Sequence, residues 1–191
     1  MATKTVYQTL EDRETDLDKL ELNGPYPCDW KNSWLGDGYY FWDTFIQNAH
    51  WWGSEIRMYQ NGYIICEAKC DFNDSECFDL VGNTEHLKRF LETYEFLKSE
   101  KLANSNTTVR RILDYLRKNR KGFMFSAIRA TGNKSKSLNS IYSFNLIFEN
   151  NKTPYLDLIP PIQICFFSKK SLNLRDYKIV FPIDCIGDNF I

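Results

Sequence analysis

Apolar positions recur at helical spacing in the middle of the chain. Leu87, Phe90, Leu91, Tyr94 and Leu97 share one face behind Thr84, which reads as the helix cap. Val109, Ile112, Leu113 and Leu116 predict a second helix over residues 107–120, set off from the first by a break at 103–106. Earlier, Leu10, Leu17, Leu20 and Leu22 fit one face of a short helix that ends at Asn23-Gly24-Pro25. A further helix, capped by Asp43 or Thr44, carries Phe45, Ala49 and Trp52 as far as Gly53. Continuous apolar or β-branched runs predict strands at 39–42, 63–68, 78–80, 123–128 and 141–148. Val6 and Tyr7 open a short extended segment. Pro160-Pro161 introduces a last strand pair at 162–167 and 177–181.

Between these elements lie polar turns at 29–32, 71–77 and 149–153, and a loop at 131–139 rich in Gly, Lys and Ser. The strands do not alternate with helices as regular βαβ units, so the pattern predicts an α+β fold. No repeat or linker divides residues 1–191, and a single domain is expected.

Composition narrows the function classes. Hydrophobic residues make up 43% and aromatic residues 16%, enough to fill a core. Twenty-four basic residues balance 25 acidic ones, which gives no case for global nucleic-acid or membrane-surface binding. No run of ~18 apolar residues is present and the first residues lack an apolar segment. A cytoplasmic location is expected, or delivery into a target cell without a cleaved signal peptide. Of the six cysteines, Cys66, Cys70 and Cys77 with His86 have spacings that fit no standard zinc site; buried reduced thiols are the expectation, and no metal. Two histidines leave little for a Ser–His–Asp or Cys–His set.

The segment WLGDGYYFW, residues 34–42, stands out. Gly36 and Gly38 permit a positive φ or close backbone approach, and Tyr39 to Trp42 are strongly β-prone. An aromatic strand is core by default. The basic residues of the 107–120 helix, Arg110, Arg111, Arg117, Lys118 and Arg120, read as a solvated face before they read as a phosphate contact. The loop from Gly132 to Ser137 lacks the glycine spacing of a phosphate loop.

Gly36-Asp37-Gly38-Tyr39-Tyr40-Phe41 resembles the Gly-x-Gly-apolar-Tyr-Phe strand of ADP-ribosyltransferases of the diphtheria-toxin and poly(ADP-ribose)-polymerase type. The whole wording WLGxGxYFW resembles a set of bacterial domains of that superfamily. Those continue with a Cys-Asp-apolar strand end, as at Cys70-Asp71-Phe72 or Cys77-Phe78-Asp79-Leu80. Tyr7-Gln8-Thr9 resembles the family's first strand, with Gln8 in place of histidine. Gln163 in Ile162-Gln163-Ile164 falls where the family carries its glutamate.

The resemblance implies a split β-sheet core with inserted helices and NAD as substrate. Tyr40 would stack on nicotinamide. Trp51, eleven residues on, would close the pocket from the other side, and Asn48 would be its small residue. Tyr7, Thr9, Gly36 and Gly38 would complete the NAD contacts, and Gln8, Tyr40 and Gln163 would be the catalytic set. It further implies mono-ADP-ribosylation of a macromolecular acceptor, protein or nucleic acid, in the setting of a toxin or effector that a neutralising partner would hold in check. Glutamine keeps a hydrogen-bonding group but loses the charge and cannot act as a general base. The alternative is a module of the same fold that binds NAD, ADP-ribose or a protein without turnover. Glu149 and Asp157 are candidate substitutes for the missing acid.

Overall fold

Strict alternation along the first strand organises the sheet. β1 (Ala2–Glu11) turns Lys4, Val6, Gln8 and Leu10 to one face and Tyr7 and Thr9 to the other. It pairs antiparallel with the equally long β3 (Tyr63–Phe72), from Ala2 opposite Phe72 to Glu11 opposite Tyr63. On its other side β1 meets β2 (Tyr39–Asp43), the aromatic strand. β4 (Cys77–Asp79), β5 (Ala127–Thr131), β8 (Ile162–Phe166) and β9 (Arg175–Phe181) complete a seven-stranded sheet in the order β4-β5-β8-β2-β1-β3-β9. Among the described strands only β4 and β5 run parallel. β6 (Asn145–Ile147) and β7 (Tyr155–Asp157) form a separate two-stranded ribbon. This computed structural model describes residues 2–14, 16–31, 33–119, 123–132, 136–137 and 139–182. Cys185, Arg120 and the centre of the polar loop, residues 133–135, lie outside them.

Helices cover both faces, which makes the described chain an α+β fold. α3 (Thr84–Ser99) and α4 (Val109–Asn119) press Leu97, Ile112, Leu113 and Leu116 onto Phe78, Ile128 and Cys165. α2 (Ile46–Trp51) covers the same face further along, with Ala49 and Trp51 against Trp42 and Ile65. α1 (Leu17–Asn23) lies on the opposite face, where Leu20 meets Ile64, Cys66 and Ile179. That face also buries Val6, Phe41, Ala68, Ile164 and Leu172.

Several predicted boundaries shift. Leu10 belongs to β1, so α1 begins at Leu17, capped by the Asp16 carboxylate, which accepts from the Lys19 N–H. The cap of α3 is Asn83, whose side-chain Oδ1 accepts from the His86 N–H, and Thr84 is the first helical residue. Phe45, not Asp43 or Thr44, precedes α2. The strand expected at 123–128 starts at Ala127. Phe123 and Phe125 instead close an aromatic cluster with Phe78 and His86. β8 and β9 are not partners: β8 sits between β5 and β2, and β9 holds the far edge beside β3.

Among the described residues, the two buried carboxylates of the sheet, Asp43 and Asp79, gather at one point. Arg129 on β5 donates from Nε to Asp43 at 2.7 Å and from one terminal nitrogen to both oxygens of Asp79 at 3.1 Å. The Lys4 ammonium adds a bond of 3.0 Å to Asp43. The four residues tie β1, β2, β4 and β5 together. Burial pushes the Asp43 carboxyl upward, but the hydrogen bonds and charges of Lys4 and Arg129 outweigh it and hold the group below the usual carboxylate range.

Candidate functional site

β2 pairs with β8 over four positions, from Tyr39 opposite Phe166 to Trp42 opposite Gln163. With β1 it pairs over two, Val6 opposite Asp43 and Tyr7 opposite Trp42. From Gln8 onward the β1–β2 ladder stops, and a pocket of about 490 Å³ lies along these two strands. Gln8 and Phe41 reach it from one face of the sheet, and Thr9, Tyr40, Trp42 and Gln163 from the other. The pocket therefore passes between strands. Its volume falls in the range of small-molecule sites, roughly 300–1,000 Å³.

A strap between α1 and β2 walls the pocket with Tyr26, Cys28, Trp30 and Trp34. Gln8 attaches it. Its amide Nε2 donates to the Tyr26 carbonyl at 2.8 Å, and its Oε1 accepts from the Tyr26 N–H at 3.0 Å and the Tyr177 hydroxyl at 2.8 Å. A longer bond, 3.4 Å, runs from Nε2 to the Tyr40 carbonyl. Both donors and both acceptor positions of the amide are thus engaged. Tyr40 fastens the strap's other end: its hydroxyl donates to the Gly36 carbonyl and accepts from the Leu35 N–H, each at 2.7 Å. Burial pushes its pKa upward, so the phenol stays neutral. Gly36 sits at φ +91°, where a side chain would be strained. A Cβ on Gly38 would stand 2.6 Å from the Phe166 carbonyl oxygen, so only glycine lets the strap meet β8 there.

The basic helix contributes a clamp. Arg110 donates to the carbonyls of Trp30 and Lys31 and to the Ser33 hydroxyl at 3.0, 3.2 and 2.7 Å, and to Asp37 at 3.0 Å. Arg117 stacks over Phe167, 4.0 Å from the ring centre. These two arginines hold protein groups, while Arg111 and Lys118 are exposed.

Of the residues singled out in the sequence, Gln8, Thr9, Tyr40 and Gln163 line this one pocket. Gln163 is buried on β8, and its amide makes no hydrogen bond to another described residue. The Thr9 hydroxyl donates to the Ala49 carbonyl at 2.9 Å, joining β1 to α2. Trp51 does not reach the pocket; it is buried edge-on against Trp42, with ring centres 5.7 Å apart. Of this adjacent pair it is Trp52 that lines the pocket, where α2 gives way to a π-helical turn, Trp52–Arg57. Asn48 is fully buried behind the pocket. Its amide donates to the Pro160 carbonyl at 3.0 Å, and its Oδ1 has no partner among the described residues. Tyr7 packs with Trp42 and Trp51, and Gly36 and Gly38 shape the strap.

Two carboxylates line the pocket among the described residues, Glu11 and Asp29. Glu11 is paired with Arg13 at 2.9 Å. Glu149 and Asp157 do not line it; Asp157 lies in the ribbon and accepts from the Ile159 N–H. Burial raises the Cys28 pKa, which keeps the thiol protonated and a poor nucleophile. Cys66, Cys70, Cys77 and Cys165 are buried free thiols, and no group of three or more metal-ligating side chains occurs among the described residues. No described helix is long and apolar enough to cross a membrane. No family model, curated protein or solved structure matches the chain.

Proposed function

We propose that the pocket between β1 and β2 binds NAD and that the protein is a mono-ADP-ribosyltransferase with the split-sheet core of that family. One observation carries the reading. Gln8, Tyr40 and Gln163 come from three separate segments, were picked out by resemblance alone, and meet on one pocket of about 490 Å³. In this reading nicotinamide lies against the aromatic faces of Tyr40 and Trp52. A cationic ring over such faces gains on the order of 0.5–2 kcal/mol. The Gln163 amide takes the ribose hydroxyls. The bond from ribose C1′ to the nicotinamide nitrogen breaks, nicotinamide leaves neutral, and an acceptor nucleophile bonds to C1′ as it gives up its proton. A neutral glutamine facing the developing cation, where a carboxylate would stabilise it, costs roughly 10²–10³ in rate. Slow transfer of single units follows.

A second reading, binding without turnover, is favoured by the complete engagement of Gln8 with the strap. The experiment separates the two. NAD carrying label in its adenylate half is incubated with the protein and cell extract, nicotinamide release is followed, and NAD binding is measured by calorimetry. Transfer of label with nicotinamide release, both lost in Tyr40→Ala, supports the enzyme. Binding without release, with release gained in Gln163→Glu, supports the module. An absence of NAD binding sinks both.

A further inference from the structure

The β6–β7 ribbon carries one face that is apolar from end to end. Cross-strand pairing sets Leu146 opposite Leu156, and hydrogen bonds from the Leu158 N–H to the Phe144 carbonyl and from the Phe148 N–H to the Pro154 carbonyl extend the ladder beyond both strands. Alternation places Phe144, Leu146, Phe148, Leu156 and Leu158 on that face. All five are exposed, between 43% and 71%. Ile147 and Tyr155 lie on the other face with Asn145 and Asp157.

The ribbon is held at its base. The Lys136 ammonium donates to the carbonyls of Tyr142 and Ile159, the Ser140 hydroxyl donates to Glu55 at 2.9 Å, and Asn48 holds the Pro160 carbonyl. The apolar face is therefore presented at a fixed position. A two-stranded ribbon is marginal in water, and becomes stable once its apolar face is covered.

We infer that this face is covered by the same face of a second copy of the chain, the two ribbons stacking about a twofold axis. Three features specify a second copy. Stacked ribbons pack as two sheets about 10 Å apart, with leucine and phenylalanine on both sides. The turn between the strands carries Glu149 and Lys152, opposite charges that leave no net repulsion across the axis. At ~150–250 Å² for a large apolar side chain, the exposed parts of the five residues come to about 500 Å² a copy. Two copies bury about 1,000 Å², the lower bound for a specific interface. The dimer is consequently weak, dissociating in the micromolar range. It does not depend on the pocket's ligand.

Sedimentation equilibrium on the full chain tests it. At about 100 µM, above the expected dissociation range, wild type runs at twice the chain mass of 22.6 kDa. Leu146→Glu/Leu156→Glu and, separately, Phe148→Glu run at the single mass, and at a dilution where wild type is also monomeric their thermal midpoints match it, because these side chains are exposed in the single chain. Ile147→Glu, on the other face, remains a dimer. A wild-type monomer at this concentration overturns the inference, as does a dimer that survives both face variants. A monomer that binds nucleic acid or a different protein through this face overturns it too and reassigns the ribbon.

Discussion

Replacing Arg129 with methionine removes the one cation among the described residues that both buried aspartates share. Asp43 and Asp79 are almost without solvent, at 2% and 5% side-chain exposure. Breaking a buried ion pair from one side costs about 3–5 kcal/mol, because a charge is left without its partner. The lower end applies here. Asp43 keeps Lys4 and the Thr44 hydroxyl, and Asp79 keeps the N–H groups of Val81 and Gly82. With ~3 kcal/mol lost and a urea slope of roughly 2 kcal/mol per molar, the midpoint falls by about 1.5 M. Lys4→Met is the internal comparison. Its side chain is partly exposed and leaves Arg129 in place, so it costs about 1 kcal/mol. The acid limb adds a signed test. Asp43 is held below its ordinary value, 3.8, so its stabilisation is present above that pH and lost as pH falls through the folded value. Without Arg129 the folded value rises and acid unfolding begins at higher pH. A midpoint shift under ~0.5 M with an unchanged slope, or an unmoved acid limb, would refute the account of the clasp.

Two further outcomes concern the site and a third the two histidines. Trp51→Ala empties a core position and costs about 3–5 kcal/mol in denaturant unfolding, while Trp52→Ala costs less and reduces the tryptophan quench expected on NAD binding, which Trp51→Ala leaves in place; the reverse ranking would reassign the pocket wall. Gln8→Ala strands the Tyr26 peptide and the Tyr177 hydroxyl, costs about 2–3 kcal/mol, and speeds hydrogen exchange at the Tyr26 amide, which stays slow if Gln8 is not the anchor. Burial lowers the pKa of both His50 and His86, so each favours folding in its neutral form. That stabilisation is present above the ordinary value of 6.5 and lost as pH falls below it, and an NMR titration of either imidazole at or above 6.5 would contradict it.

The sheet was legible where apolar runs were unbroken. Tyr39 to Trp42, Ile162 to Phe166 and both long helices announce themselves by period and composition. What stayed hidden depended on contacts between distant residues. Arg129 and Asp43 look like surface residues because sequence shows charge but not the partner that allows its burial. The half of β1 before Val6 is polar and becomes strand only through its ladder with β3. Trp51 and Trp52 are adjacent and chemically equal. The π-helical turn departs from the 3.6-residue period and decides which one faces the gap. Arg110 was visible as part of a basic helix, but its use on a strap 73 to 80 residues away was not.

Gln8 also bears on how this pocket can change. A primary amide offers a donor and an acceptor in the same arrangement as a peptide group, so one side chain completes the sheet where a neighbouring backbone is missing. The strap leaves the strand without orphaning its own hydrogen bonds. An imidazole at position 8 has one donor and one acceptor on opposite sides of a ring, and could not grip both ends of the Tyr26 peptide. Exchanging glutamine for histidine would then alter the enclosure as well as the chemistry. At this position recognition and architecture can only evolve together.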